Sequence, residues 1–169
     1  VLFAGGTLWT DLRATYMSPA AAAGDAKRSM NDYKRIHRRS QTRGSRAIRP
    51  EHTLAMHRAT KAFLEEAASG RRDGQPFVIV THHPPSMRTV DNPGASCSQC
   101  YGSDLEGWAT GLGADLWIHG HTHHHLEYGV GALKFVTNAR GHWSEKREFI
   151  EGFVLELPSP VPGLAAIPA

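Results

Sequence analysis

A chain of 169 residues fits one ordinary domain, or part of a larger one, and gives no support for two independent cores. Apolar residues at 40% and charged residues at 21% exclude a disordered chain, while 17 glycines and 10 prolines point to many turns without collagen or coiled-coil periodicity. The formal charge of +3 is uneven: residues 25–50 carry nine Lys and Arg against Asp25 and Asp32, a local balance of +7 that leaves −4 elsewhere.

In chain order, residues 1–8 form an apolar strand candidate with no initiator Met and no charged leader, which reads as a cropped start. Residues 11–26 read as a loop ending in the small-residue run 19–24. The basic segment, with Lys34, Arg35, Arg38, Arg39 and Arg43, reads as a solvated loop and helix face. Such a stripe can steer an anionic substrate or meet nucleic acid, but no aromatic series interleaves it as a single-strand platform requires. The first clear helix starts at Pro50, where a missing N–H costs nothing, and Leu54, Met56, Ala59, Phe63, Leu64 and Ala67 recur near helical spacing until Ser69-Gly70.

Residues 76–81 are a short apolar run, the pattern of a strand buried on both faces. Cys97 and Cys100 form a lone C-x-x-C in a stretch rich in Pro, Gly and Ser. Structural zinc would need two more ligands and a thioredoxin-type motif would open a helix, so a plain loop is expected. Ser103-Asp104-Leu105-Glu106 has capping-box spacing and predicts a second helix through Leu112. Residues 115–118 make another buried strand, residues 127–130 and 133–137 a hairpin around Gly131-Ala132, and residues 152–157 a last strand. Residues 1–157 are thus expected to form one α/β unit, and residues 158–169 a Pro-rich tail without regular structure. The apolar runs fall far below the roughly 20 residues that span a bilayer, so no membrane contact is expected, and a cytoplasmic location is.

Histidine marks the chemistry. Seven of the 11 fall at two places, His82 and His83 after one buried strand, and His119, His121, His123, His124 and His125 after another. Ligands of open α/β sheets bind beyond the carboxyl ends of strands, so both groups should reach one rim. Imidazoles converging there suit a transition-metal ion. Gly120 is expected to turn the backbone so that His121 and His123 face different sides of a shared centre, with Pro84-Pro85 stiffening the other loop.

Thr81-His82-His83-Pro84-Pro85-Ser86 followed by Trp117-Ile118-His119-Gly120-His121-Thr122-His123 resembles the last two metal-binding motifs of the calcineurin-like metallophosphoesterases. Thr7-Leu8-Trp9-Thr10-Asp11, Met30-Asn31-Asp32-Tyr33 and Thr137-Asn138-Ala139-Arg140-Gly141 resemble its bacterial members, which extends the similarity to about Leu157. The resemblance implies a partial calcineurin-like sandwich, mixed β-sheets flanked by helices, with the N-terminal strands absent. It also implies that His82 and His121 bind one metal and His123 the other, whereas His83, His119, His124 and His125 match no ligand position. The family's Asp-x-His, Gly-Asp-x-x-Asp and Gly-Asn-His motifs do not occur here, so the catalytic residues are expected upstream of Val1.

The function implied is metal-dependent phosphoester hydrolysis, by a phosphatase or phosphodiesterase acting on a small-molecule phosphoester. The complete enzyme would use two divalent ions (Mn, Fe or Zn) that clamp the phosphate. Three neutral imidazoles alone should hold at most one ion well, so this chain is expected to be inactive by itself. The alternative is a non-catalytic metal-binding or basic nucleic-acid-binding module, in which the Arg-rich segment is the working surface.

Overall fold

The computed structural model describes residues 1–40, 44–145 and 148–157. A five-stranded sheet organises it: β1 (Leu2–Gly6), β4 (Phe77–Thr81), β5 (Leu116–His119), β7 (Leu133–Asn138) and β6 (His125–Val130), in that spatial order. β1, β4, β5 and β7 run parallel, and β6 returns antiparallel to β7 through the expected hairpin. Four carboxyl ends therefore share one rim. Ahead of β4 come α1 (Pro19–Ser29), α2 (Asp32–Arg35), a small hairpin of β2 (His37–Ser40) and β3 (Gly44–Ala47), and then α3 (Pro50–Ser69); α4 (Glu106–Gly111) joins β4 to β5.

One face of the sheet is fully closed. Phe77, Ile79, Trp117 and Phe135 pack there with Leu64 of α3 and Ala109 of α4, all at 0% exposure, so each large ring sits where its transfer from water counts in full. Truncating Trp117 or Phe135 to Ala would cost about 3–5 kcal/mol on that account. The other face is thinner: Val78, Leu116 and Val136 are covered by Phe153, Leu155 and Leu157, while Phe3 and Val80 stay 64% and 42% exposed. β4 is thus buried on both faces only over its first three residues. β1 can approach β4 closely because position 5 is glycine; a Cβ there would overlap the Val80 carbonyl.

Four local expectations fail for identifiable reasons. Residues 19–29 are a helix and not a loop: Ser18 Oγ accepts the Ala21 N–H at 3.3 Å, Pro19 fills the first position, and the alanines favour helix while Ala22 and Ala26 bury against Leu12, Tyr33 and Ile48. Ser103 and Glu106 do not cap α4, because tertiary partners claim both. Ser103 Oγ accepts the Asp11 N–H at 3.1 Å, and the Glu106 carboxylate binds Arg88 Nε at 2.8 Å and Ser86 Oγ at 2.5 Å. Residues 152–157 form no strand; Phe153, Leu155 and Leu157 face the sheet in alternation, but among the described residues no neighbouring strand pairs their backbone. The Arg-rich segment is helical at Lys27, Arg28, Lys34 and Arg35 but extended at Arg38, Arg39 and Arg46, in the antiparallel β2–β3 pair with Arg38 opposite Arg46; Arg43 and the tail expected at residues 158–169 lie outside the described residues.

Candidate metal centre

The strand ends build the site by continuing their pairing past the sheet. His82 N–H donates to the Gly6 carbonyl at 3.3 Å and His83 N–H to the Thr7 carbonyl at 3.1 Å, while Gly120 N–H donates to the His82 carbonyl at 3.1 Å. Trp117 Nε1–H donates to Thr81 Oγ1, and the Thr81 hydroxyl donates onward to the His83 carbonyl, both at 2.8 Å, so the turn after β4 is held from the core. His82 Nε2 and His121 Nδ1 consequently meet at 3.1 Å, with ring centroids 4.8 Å apart. Tyr101 stacks on His121 at 5.1 Å and Trp9 on His83 at 5.2 Å.

Gly120 is not the residue that turns the chain. His121 and His123 themselves adopt left-handed backbone, φ 67° and 48°, whereas Gly120 has no positive φ. That conformation costs a side-chain-bearing residue roughly 1–2 kcal/mol and is retained where the surroundings impose it, commonly at functional sites. The alternation of hand sends His121 toward His82 and His123 toward the loop after β7. There His123 Nδ1 lies 2.9 Å from Glu145 Oε2, which also accepts the His142 N–H at 3.0 Å. Donor atoms of His123, His142 and Glu145 all fall within 4.8 Å of one another. His82, His121, His123, His142 and Glu145 line one open cavity of about 660 Å³ together with Asn31, Asp32 and Arg35.

Burial first, and neighbouring imidazoles second, push His121 down to about 4 and His83 well below the ordinary histidine value. Burial likewise lowers His82. These rings are neutral at pH 7, the form in which imidazole ligates a cation. Imidazole with carboxylate is a donor set that Zn, Mn and Fe accept, and the donor atoms of His123, His142 and Glu145 already gather; the residues fit a divalent ion. The remaining histidines are engaged elsewhere: His83 Nδ1 bonds the Thr7 carbonyl, His124 Nδ1 the Thr122 carbonyl, and His125 packs edge-on to Phe153. His119 is buried against the Gly120 carbonyl and does not line the cavity.

Sequence reasoning missed His142 and Glu145. The signal was present, because the rule that pointed at the ends of β4 and β5 applies equally to β7, the next parallel strand, four residues before His142. It also counted only neutral donors, whereas Glu145 brings a carboxylate, held below its usual range first by the His142 N–H.

The profile of the calcineurin-like phosphoesterase family matches residues 17–125, well over half the chain. The chain belongs to the calcineurin-like phosphoesterase family. Within the matched span lie His82, His121 and His123; His142 and Glu145 lie beyond it. Among solved structures, the phosphopantetheinyl hydrolase from Mycobacterium tuberculosis superposes with a TM-score of 0.57 at 18% identity, over 93% of this chain and 58% of its own. The chain thus spans less than two thirds of that relative's length, and the likeness is one of fold. No curated protein sequence matches significantly. As a calcineurin-like phosphoesterase, the chain has an α/β fold with a mixed sheet flanked by helices, and the family implies divalent metals. No described helix is long and apolar enough to cross a membrane.

Proposed function

We propose that this chain supplies the imidazole ligands of a metal-dependent phosphoester hydrolase, His82 and His121 toward one divalent ion and His123 toward a second. The observation that carries the reading is the 3.1 Å approach of His82 and His121 from adjacent parallel strands, with His123 lining the same cavity. Divalent cations held there would polarise the phosphoester and offset the charge that builds on its oxygens. The chain's own residues prepare that site. Tyr101 stacks on His121 and Trp9 on His83, which holds those two rings in place. Glu145 accepts from His123 Nδ1–H, leaving Nε2 as the free nitrogen. Arg35 faces the cavity beside Asn31 and offers a cation to phosphate oxygens. Arg38 turns instead to His52 Nε2 at 2.8 Å, so only part of the basic segment serves to attract substrate.

Hydrolysis of an aryl phosphate monoester and diester with added manganese tests this in the full-length protein and in that protein carrying His121→Ala. Manganese-dependent turnover that His121→Ala abolishes is expected. Turnover indifferent to His121→Ala would overturn the ligand assignment.

A further inference from the structure

The C-x-x-C that reads as a plain loop occupies a built environment one residue from the cavity. Cys97 and Cys100 are free thiols, 6% and 4% exposed, whose sulfurs meet at 2.7 Å across a turn closed by Cys100 N–H to the Cys97 carbonyl at 2.8 Å. The turn is clamped to α1: the Asp25 carboxylate accepts the Cys97 N–H at 2.9 Å, the Gln99 amide at 3.2 Å and the Ser96 hydroxyl at 3.3 Å. Cys97 is held in left-handed backbone, φ 64°, so position 97 is retained at some conformational cost. Around the sulfurs pack Ala22, Ala26, Tyr33 and Ile48. Tyr101, the next residue, is the ring stacked on His121.

We propose that Cys97 and Cys100 are a peroxide-oxidisable dithiol whose closure to a disulfide repositions Tyr101 over His121. The sulfurs need approach by only about 0.7 Å to reach the bonded separation of about 2.05 Å. Their burial excludes a protein disulfide as oxidant and admits a molecule the size of hydrogen peroxide. The Cys97 thiolate attacks one peroxide oxygen, the O–O bond breaks, and the departing oxygen leaves as water, giving a sulfenic acid. Cys100 sulfur then attacks Cys97 sulfur, the S–O bond breaks and a second water leaves. Two electrons pass from the sulfurs to the peroxide, and both thiol protons end in water. Sharing the hydrogen bond with Cys100 lowers the Cys97 thiol, which suits it to the first step. A disulfide across so short a loop adds little to global stability, so its effect is local, on the turn that carries Tyr101.

The experiment needs neither metal nor phosphoester, so it succeeds or fails independently of the proposed hydrolase. The chain is treated with stoichiometric hydrogen peroxide, unfolded, alkylated and weighed. A mass lower by about 2 Da is expected, with neither cysteine alkylated and full reversal by dithiothreitol. Full alkylation of both cysteines, or oxygen retained on sulfur, would overturn the proposal. In parallel, the His121 imidazole resonances are followed by ¹⁵N NMR; they should shift on oxidation, return on reduction, and stay put in peroxide-treated Cys100→Ser. Disulfide formation without movement of His121 would overturn the link to the cavity, and the reversal in the unsubstituted chain decides this even if the variant does not fold.

Discussion

The cavity has two unlike walls. On one, His82, His83 and His121 meet edge-on or tilted, with Trp9 stacked on His83 and Tyr101 on His121. On the other, His123 and His142 lean on the Glu145 carboxylate, and Glu145 and the His123 side chain are each about one third exposed. The first wall offers neutral imidazoles, with His82 exposed and Asp32 the carboxylate whose charge reaches it. The second has its own carboxylate but leaves it partly in water, where attraction is screened. The contrast teaches that the two ion positions proposed here would differ in what holds them: preformed imidazole geometry on one side, a carboxylate on the other.

The largest expected effect breaks the imidazole wall. His121→Ala removes the central ring, and zinc affinity measured by calorimetry should fall by more than about 100-fold, beyond the range typical of outer-shell partners. Affinity unchanged by this substitution would move the site elsewhere. Glu145→Gln tests the charged wall: a loss of about 10- to 100-fold is expected in a second, weaker binding phase, with the tighter phase within a few-fold of the original. An equal loss in both phases would mean that the walls act as one.

Next comes Gly141→Ala. Gly141 sits at φ 73°, and a Cβ there would press on the His123 side chain at 3.0 Å and overlap the Glu145 carboxylate. Stability should fall by about 1–2 kcal/mol in urea unfolding, with the charged wall's affinity reduced alongside it. A neutral Gly141→Ala would show that this loop is free to adjust.

The smallest effect concerns protons. His57 donates from Nδ1 to the Leu8 carbonyl behind the imidazole wall, and burial lowers it below 6.5. A lowered histidine leaves the unfolded chain binding more protons, so its contribution is complete above about pH 6.5 and is lost as pH falls toward the folded value. Stability should therefore decline from about pH 6.5 downward, with His119 and His121, both lowered to about 4, setting the lower end of the window. His57→Asn keeps a donor for Leu8 and should flatten the decline by under about 1 kcal/mol. An unaltered slope in urea melts across that range would remove His57 from the account.

How far the site was legible differs residue by residue. His82 and His121 follow buried apolar runs, and a run of four or five such residues announces a strand whose end is a place. His142 and Glu145 follow a strand just as plainly, but three residues of loop separate Asn138 from His142, and no local pattern says where a loop folds back. Ser103 and Glu106 carried a capping-box spacing yet bind Asp11, Ser86 and Arg88, because a charge-assisted pair with Arg88 outweighs a single helix cap. The alanine run 20–23 is helix and not loop, because Leu12, Tyr33 and Ile48 supply something for it to pack against.

The sequence by itself determined the sheet strands, the α3 helix, the hairpin and the pairing of two histidine clusters with two strand ends, since apolar periodicity and strand length are local properties. Only the tertiary structure decided that His121 and His123 turn the backbone themselves, that Glu145 reaches His123, and that a lone pair of cysteines sits one residue behind the ring covering His121. Those facts depend on contacts between segments 20 to 80 residues apart, which neither spacing nor composition encodes.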